Sequence, residues 1–453
     1  MTKITCYGGV AQIGGNKILV EDREARVWLD MGQPFDYGSD FFADFLTART
    51  RYGLRDHFAL DLIPQIPGLY SAEALEPTKF LWKPPEFSAI LITHVHSDHV
   101  NHLGYVDPAI PVHLGAGTRT ILDSWETTST FVNVKAHDFR TFRTGDTIRA
   151  DGIEAEPIHV DHSAPAAYGY LVHTSEGTIA YTGDLRRHGP LRQLTDDFVE
   201  RATKARPIAL ITEGSRVTPH DTRQNLTEAD VKAGALEIVR GAGGKLSMVT
   251  FPGRDVDRIR TFFEVAKGAG RKFVVDMRTA HLLLTLKNDK RLKVPDIEKE
   301  DSLCAYSRQQ QPKRWETELE KRLKDKVLTA EDIQKRPEDF VLQVEFPHLA
   351  ELIDLEPPPG SPFIHSKSEA FDEEDISDRV LQNWLDRFRL VRHQLHASGH
   401  MSEDEIAEMV RTIRPKIVVP VHTEHPERFT RFSPHVVQPV RERAMTLTAG
   451  STG

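Results

Sequence analysis

Thr93-His94-Val95-His96-Ser97-Asp98-His99 follows the apolar run Ala89-Ile90-Leu91-Ile92, and its reading decides how the rest of the chain is understood. A short apolar run ending in three histidines and an aspartate reads as a buried strand that opens into a loop. Such a loop is a poor core and a good metal site, because imidazole nitrogen and carboxylate oxygen are ligands that zinc takes. In an extended strand exit, His94 and His96 face one side, while Asp98 and His99 come round after a turn. One HxHxDH segment can therefore serve two neighbouring metals. Two zinc ions about 3.5–4 Å apart can share a hydroxide that attacks phosphorus or carbon.

Upstream, Ile4-Thr5-Cys6-Tyr7 and Lys17-Ile18-Leu19-Val20-Glu21 read as strands joined across Gly8-Gly9-Val10-Ala11-Gln12-Ile13-Gly14-Gly15-Asn16. A glycine-rich loop this early invites a phosphate-binding reading, but no helix pattern follows and no GK[ST] is present, so a hairpin turn is expected. A third strand, Ala25–Leu29, ends at Asp30. Residues 33–87 form a long aromatic-rich connection, either a cover for the core or a lid that shapes a substrate mouth. Within it the spacing of Phe41, Phe42, Phe45 and Leu46 predicts a short helix.

Composition bounds the answer. The chain has 453 residues, enough for two domains or one large domain with an insertion, and a formal net charge of −9, so no global charge argues for nucleic acid. Cys6 and Cys304 are far apart and form no CxxC pair, which suits a reducing compartment. The N-terminus enters a strand pattern without an apolar signal core, and no apolar run approaches bilayer length. A cytoplasmic protein with no membrane partner is the expectation.

Downstream, strand after strand finishes in a polar or acidic residue. His162 follows Ile153–Ile158, Asp184 follows Thr178–Thr182, Glu213 follows Pro207–Thr212, and His422 follows Lys416–Val421. In this order and placement the residues resemble those of the metallo-β-lactamase fold hydrolases. The resemblance implies one zinc held by His94, His96 and His162, and a second held by Asp98, His99 and His422. It also implies that Asp184 bridges the two and that Asp30 orients the site from behind, with manganese an alternative to zinc. His102, His113, His159, His173 and His425 match no motif position and are expected to be structural or surface residues, His159 being the nearest to an exception.

More than two hundred residues separate Asp184 from His422, far more than the core fold needs. Residues 227–293 carry a βαβ rhythm: a helix at Glu228–Gly241, a strand at Leu246–Phe251, a helix at Asp255–Gly268 and a strand at Lys272–Val275. About twelve basic against five acidic residues fall between Lys245 and Lys293, so this stretch is either a set of solvated helix faces or an electrostatic landing surface. Residues 295–340 are highly charged and predicted helical, and Asp372-Glu373-Glu374-Asp375 is predicted to start another helix. A helix from Ser402 to Ile413 precedes the last strand.

This insertion resembles the β-CASP domain of nucleases in the same superfamily, with Glu213 at the acidic motif A, His400 at motif B and His422 at motif C. A motif C histidine goes with the RNA-acting members, whereas the DNA-acting branch usually has valine. The closest likeness is to RNase J-like exo- and endoribonucleases, through the Gly8–Asn16 stretch and His396-Ala397-Ser398-Gly399-His400. The expected fold class is therefore α/β: a metallo-β-lactamase αββα sandwich, residues 1–210 and 391–453, interrupted by an inserted α/β β-CASP domain at 211–390. The resemblance implies catalytic roles for Asp98, Glu213 and His400, with His400 as general acid and Glu213 as its partner. It also implies a substrate phosphate held by His396, Ser398 and Gly399. The expected function is two-zinc hydrolysis of single-stranded RNA, with a homodimer compatible. The alternatives are a DNA-acting β-CASP nuclease, a thioesterase- or lactonase-type hydrolase of small molecules, and an RNA-binding subunit without activity. Two departures stand beside the match: the sequence ends about thirty residues after His422, where RNase J carries a further domain that helps dimerisation, and residues 33–87 are longer than the family pattern needs.

Overall fold

Alternating burial along the first strands explains why the chain builds two facing sheets. In Lys17–Asp22 and Ala25–Leu29, Ile18, Val20, Val27 and Leu29 enter one core while Leu19 and Trp28 enter another, the two-residue period of a strand covered on both faces. The computed structural model describes residues 1–43, 45–129, 134, 137–219, 221, 223–368 and 376–448.

The first sheet orders its strands Ala444–Leu447, Thr2–Gly8, Lys17–Asp22, Ala25–Leu29, Ala89–Leu91, Val112–Gly115 and Phe139–Phe142. The second orders Ile417–Pro420, Ala209–Thr212, Gly177–Tyr181, Ala167–Thr174, Ile153–Val160 and Ile148–Ala150. Between them lies a core of Ile4, Ile18, Val27, Tyr170, Ile179, Tyr181, Ile211 and Val419. Helices Arg192–Ala205 and Glu403–Ile413 close the outer face of the second sheet over Leu171, Ala180, Leu210 and Val418.

A third sheet, entirely parallel, runs Val327–Leu328, Leu303–Tyr306, Lys272–Asp276, Phe340–Gln343, Ser247–Thr250, Pro362–His365 and Val391–Gln394. Its strands lie between Ala209–Thr212 and Ile417–Pro420 in the chain, so the sheet interrupts the second one in sequence while leaving those two strands paired. The sheet continues past residue 390, because Val391–Gln394 still pairs with Pro362–His365. Helices Glu228–Gly241, Val256–Gly268 and Met277–Leu286 share one apolar cluster with the outer face of the first sheet, which seats the insertion against the sandwich.

Two local expectations fail. Residues 295–340 are not continuously helical: α-helix is limited to Arg314–Leu323 and Ala330–Lys335, and the short apolar runs Leu303–Tyr306 and Val327–Leu328 are strands of the third sheet. A buried strand of four residues has no periodicity to betray it. At Phe41–Leu46 there is a turn with an isolated bridge from Ala43 to Leu46, and Phe41, Phe45 and Leu46 are exposed rather than packed as one helix face. The acidic helix start at Asp372–Asp375 lies outside the described residues; the helix Ile376–Arg387 follows it. The 33–87 connection covers the core, one of the two roles considered for it. Leu54, Phe58, Ile63, Leu69, Tyr70 and Leu75 cover the first sheet, and Phe35 stands at the mouth of the main cleft.

Candidate metal centre

Strand register brings the candidate residues to one level. Tyr181, Ile211 and Val419 are aligned across three adjacent parallel strands, so Asp184, Glu213 and His422 leave the same sheet edge together. In the facing sheet Leu29 aligns with Leu91, which sets Asp30 beside Thr93 and His94. His162 follows the end of Ile153–Val160, a strand antiparallel to Ala167–Thr174 and so running in the same direction as Gly177–Tyr181. The carboxyl ends of strands from both sheets thus open into one cleft.

The donors form three groups of closely spaced ligand atoms: His94, His96, His162 and Asp184; Asp98, His99, Asp184 and His422; and Asp184, Glu213 and His400. His96 Nδ1 lies 3.1 Å from both His94 Nε2 and His162 Nε2. The Asp184 carboxylate oxygen Oδ2 lies 3.7 Å from His94 Nε2, 3.2 Å from His99 Nε2 and 3.6 Å from His422 Nε2. His422 Nε2 is 2.9 Å from Asp98 Oδ2.

Whether these residues suit metal ions can be tested on their own geometry. Two atoms each 2.0–2.1 Å from a tetrahedral zinc are about 3.4 Å apart, and the separations above bracket that value. The far nitrogens of the ring ligands are occupied: His162 Nδ1 donates to the Gly399 carbonyl (2.7 Å) and His99 Nδ1 donates to Asp30 Oδ2 (2.8 Å). The Thr93 hydroxyl, which donates to Asp30 Oδ2 (2.9 Å), accepts from His94 Nδ1 (3.0 Å). Ser215 Oγ donates to Glu213 Oε2 (2.7 Å) and accepts from His422 Nδ1 (2.8 Å). Each of these rings therefore turns its Nε2 into the cleft as the atom available to a metal. A single proton on His96 Nδ1 cannot satisfy both lone pairs facing it; a cation can. Asp98 Oδ1, Asp184 Oδ1 and His99 Nε2 are also buried without a hydrogen-bond partner. The donor set fits a metal-binding site.

Electrostatics agree with that fit. Burial, then the neighbouring imidazoles His99, His162 and His96, hold His94 well below the usual histidine range; burial brings His162 down to about 4. These rings are neutral, as ligands must be. Burial alone would also lower His422, but the Asp184 and Asp98 carboxylates overcome it and lift the ring to about 9. In the metal-free cluster His422 thus carries a proton that metal must displace.

His400 stands over this cluster, its side chain 26% exposed to the cleft. Its Nδ1 is 3.0 Å from Glu213 Oε2 and 3.1 Å from Oε1, which leaves Nε2 for a ligand. Burial alone would lower His400; the Glu213 carboxylate raises it above the ordinary histidine value. Of the three residues expected to hold phosphate, Ser398 lines the cleft and its Oγ accepts from the His400 backbone N–H (3.1 Å). The Gly399 carbonyl orients His162, and a Cβ on Gly399 would fall 2.6 Å from Ser163 Oγ. His396 is turned toward the Ser366 carbonyl (3.1 Å) and Arg258 (3.3 Å).

Several supporting features were not foreseen. Asp30 has φ +59° and His422 φ +53°, a left-handed backbone that is uncommon for residues with side chains and that aims both groups inward. Thr93, Tyr181 and Ser215 fix the rings and carboxylates. Gly15 and Asn16 donate backbone N–H groups to the Asp98 carbonyl (3.0 and 3.2 Å), and a Cβ on Gly32 would overlap that same carbonyl. The early glycine stretch is thus a hairpin that grips the metal-ligand loop, and glycine count alone carries no sign of it. His159 stays outside the cluster, stacked on Tyr168 at 5.1 Å.

The main cleft, about 470 Å³, opens between the sandwich and the insertion and is lined by Phe35, His96, Asp98, Arg254, Ser398 and His400 among others. Beneath it a buried charge lattice joins the two parts. Arg186 meets Asp161 and Asp257 at 3.0 Å each, and Arg258 meets Glu228 at 2.8 Å and the Ala397 carbonyl at 3.1 Å. About half of the basic residues at 245–293 are engaged within the fold, among them Arg271, which donates to the Lys245 and Gly243 carbonyls, Arg260, which pairs with Asp257, and Lys287, which pairs with Glu298.

Comparison with known proteins follows the same lines. Residues 61–250 match the beta-lactamase superfamily domain, and residues 387–430 match the Zn-dependent metallo-hydrolase RNA specificity domain. Ribonuclease J of Sinorhizobium meliloti is 25% identical, over 74% of this chain and 57% of its own length. Ribonuclease J of Helicobacter pylori J99 is 22% identical, over 93% of this chain and 56% of its own. Ribonuclease J2 of Bacillus subtilis is 22% identical, over 93% and 69%. The chain thus spans little more than half the length of the first two. A crystal structure of a protein of unknown function from Enterococcus faecalis V583 shares the fold, with a TM-score of 0.79 and 23% identity over 98% of this chain and 100% of that one. Among the described residues no helix is long and apolar enough to cross a membrane.

Proposed function

We propose that this chain, which carries a metallo-β-lactamase fold of the RNase J-like, β-CASP type, is a metal-dependent ribonuclease that hydrolyses phosphodiester bonds in single-stranded RNA. The observation that carries the reading is the sharing of Asp184 between two ligand groups, with the Glu213–His400 pair directly above them. In this reading His94, His96 and His162 would hold one zinc and Asp98, His99 and His422 the other, with Asp184 common to both donor groups and manganese an alternative occupant. Metal held there would supply Lewis acidity to the phosphoryl group and activate a water.

The chain's own groups do the rest. Asp30, Thr93 and Tyr181 keep the ring ligands in the tautomer that faces inward. Glu213 holds His400 charged, and the free Nε2 of His400 delivers its proton to the leaving oxygen. Ser215 ties Glu213 to His422, so the proton donor and the ligand cluster keep a fixed separation. Ser398 contributes a hydroxyl to the phosphate, with His396 and Gly399 shaping the loop that carries it. Residues 211–390, completed by the strand Val391–Gln394, form the wall that makes the cleft long enough for a polymer, while 1–210 and 391–453 supply the ligands.

The test is product mapping on one RNA prepared with 5′-monophosphate, 5′-triphosphate and 5′-hydroxyl ends, with a thioester panel alongside. Mononucleotides from the monophosphate end indicate 5′-to-3′ exonuclease action, and internal fragments from all three indicate endonuclease action. Turnover of the thioesters without RNA cleavage refutes the assignment.

A further inference from the structure

Three cations line the main cleft: Arg223, Arg254 and Lys367. Arg223 is paired with Asp221 at 2.6 Å, and Lys367 with Glu345 at 2.7 Å. Arg254 has no hydrogen-bond or ion-pair partner among the described residues. Its guanidinium lies instead over the ring of Trp125, 3.5 Å from the centroid. Burial brings it down to about 10, because no carboxylate is paired with it directly. It is close enough to the ligand loop for its charge to act on His96 and for Asp98 to act on it.

A guanidinium stacked on an indole uses its face and leaves its edge free, and that edge carries N–H donors in the fork that matches two phosphate oxygens. Trp125 comes from the sandwich helix Ala116–Thr128, whereas Arg254 follows the third-sheet strand Ser247–Thr250. The stacking therefore sets the cation across the boundary between the two parts, facing the cleft that holds His96, Asp98, Ser398 and His400.

We propose that Arg254 binds a phosphate group of the substrate beside the metal centre, and that Trp125 is the residue that positions it. The proposal rests on the ribonuclease reading for its substrate, but the phosphate contact is testable apart from cleavage. Arg254 neutralises one phosphate of the strand. Glutamine at 254 keeps a donor and loses the charge, and lysine keeps the charge and loses the fork. Phenylalanine at 125 keeps an aromatic face, and alanine removes it.

The zinc-loaded full-length protein is assayed on a 5′-labelled single-stranded RNA and on a set in which one linkage at a time is a neutral methylphosphonate. Arg254→Gln is expected to raise KM at least tenfold with unchanged zinc content. At one linkage the neutral substitution should penalise the wild type and leave Arg254→Gln unaffected. Trp125→Ala should show a smaller KM rise and a weakened coupling at the same linkage, restored by Trp125→Phe. Calorimetric titration with uridine 5′-monophosphate reads the same contact without turnover, with an affinity loss of tenfold or more in Arg254→Gln. Equal affinity of the two proteins for the nucleotide overturns the proposal, as do penalties that add independently at every linkage. A wild type that binds the nucleotide through Arg254 but cleaves no RNA leaves the phosphate site standing and refutes the ribonuclease reading alone.

Discussion

Asp30→Asn separates the orienting role of this residue from mere packing. The Asp30 carboxylate is fully buried and accepts from Thr93 N (2.7 Å) at Oδ1 and from Thr93 Oγ1 (2.9 Å), Tyr181 Oη (2.7 Å) and His99 Nδ1 (2.8 Å) at Oδ2. Asparagine tolerates the left-handed backbone found there, so strain is not the variable. With its oxygen kept on the Thr93 N–H, its NH2 group must face Tyr181 and His99. Tyr181 already accepts from Asn16 Nδ2 at 3.0 Å and loses its acceptor, which costs about 1–3 kcal/mol of stability. His99 is driven to accept at Nδ1 and to carry its proton on Nε2, the atom that faces Asp184 and Asp98. Losing a partner of this kind costs about 10- to 100-fold in metal affinity, or about 1.4–2.7 kcal/mol. Competitive titration against a chelator indicator should show two metals in the wild type and one weakened site in Asp30→Asn, namely that of Asp98, His99 and His422, with the His94, His96 and His162 site less affected. Wild-type affinity at both sites, with an unchanged thermal midpoint, would refute the reasoning.

Removing the proton donor should leave the metals in place. Glu213→Gln and His400→Ala are expected to lower kcat by about 10²- to 10⁴-fold at unchanged metal content. The proton that Glu213 holds on His400 is present below the ring's raised pKa and lost as pH rises through it, so the alkaline limb of kcat should move to lower pH in Glu213→Gln. Burial raises Asp255 to about 7 from 3.8, so the fold favours its protonated form: its contribution is intact below pH 3.8 and declines as pH rises toward 7. Asp255→Asn keeps the cap on the Arg258 N–H and should stabilise the protein above pH 7, by on the order of 2 kcal/mol, with no gain in acid, as read by denaturant titration at several pH values. Gly399→Ala sets a Cβ 3.0 Å from His162 Cε1 and should weaken the His94, His96 and His162 site at least tenfold by metal analysis.

The αββα sandwich was legible through the family resemblance that its strand-end residues carry: Ala25–Leu29 runs into Asp30, and Ile153–Val160 is followed by His162. The third sheet was legible only at its start, where helices alternate with strands. Leu303–Tyr306 and Pro362–His365 are four-residue runs buried throughout, and nothing local distinguishes them from a turn of helix. The stretch Phe41–Leu46 failed in the opposite way: its spacing is helical, but no partner surface receives it.

By itself the sequence determined which residues are candidates for the centre. His94, His96, Asp98 and His99 sit within six positions, and ligand chemistry belongs to a side chain wherever it lies. Only the tertiary structure decided how that inventory is shared: Asp184 faces both groups because Tyr181, Ile211 and Val419 are in register, and His400 meets Glu213 because the insertion returns the chain to the same edge. It alone showed the hold of Asp30 on His99, the grip of Gly15 and Asn16 on the Asp98 carbonyl, and the stacking of Arg254 on Trp125. Those contacts join residues 69, 82, 83 or 129 positions apart, and the separations follow from loop lengths and sheet order, which no local pattern encodes.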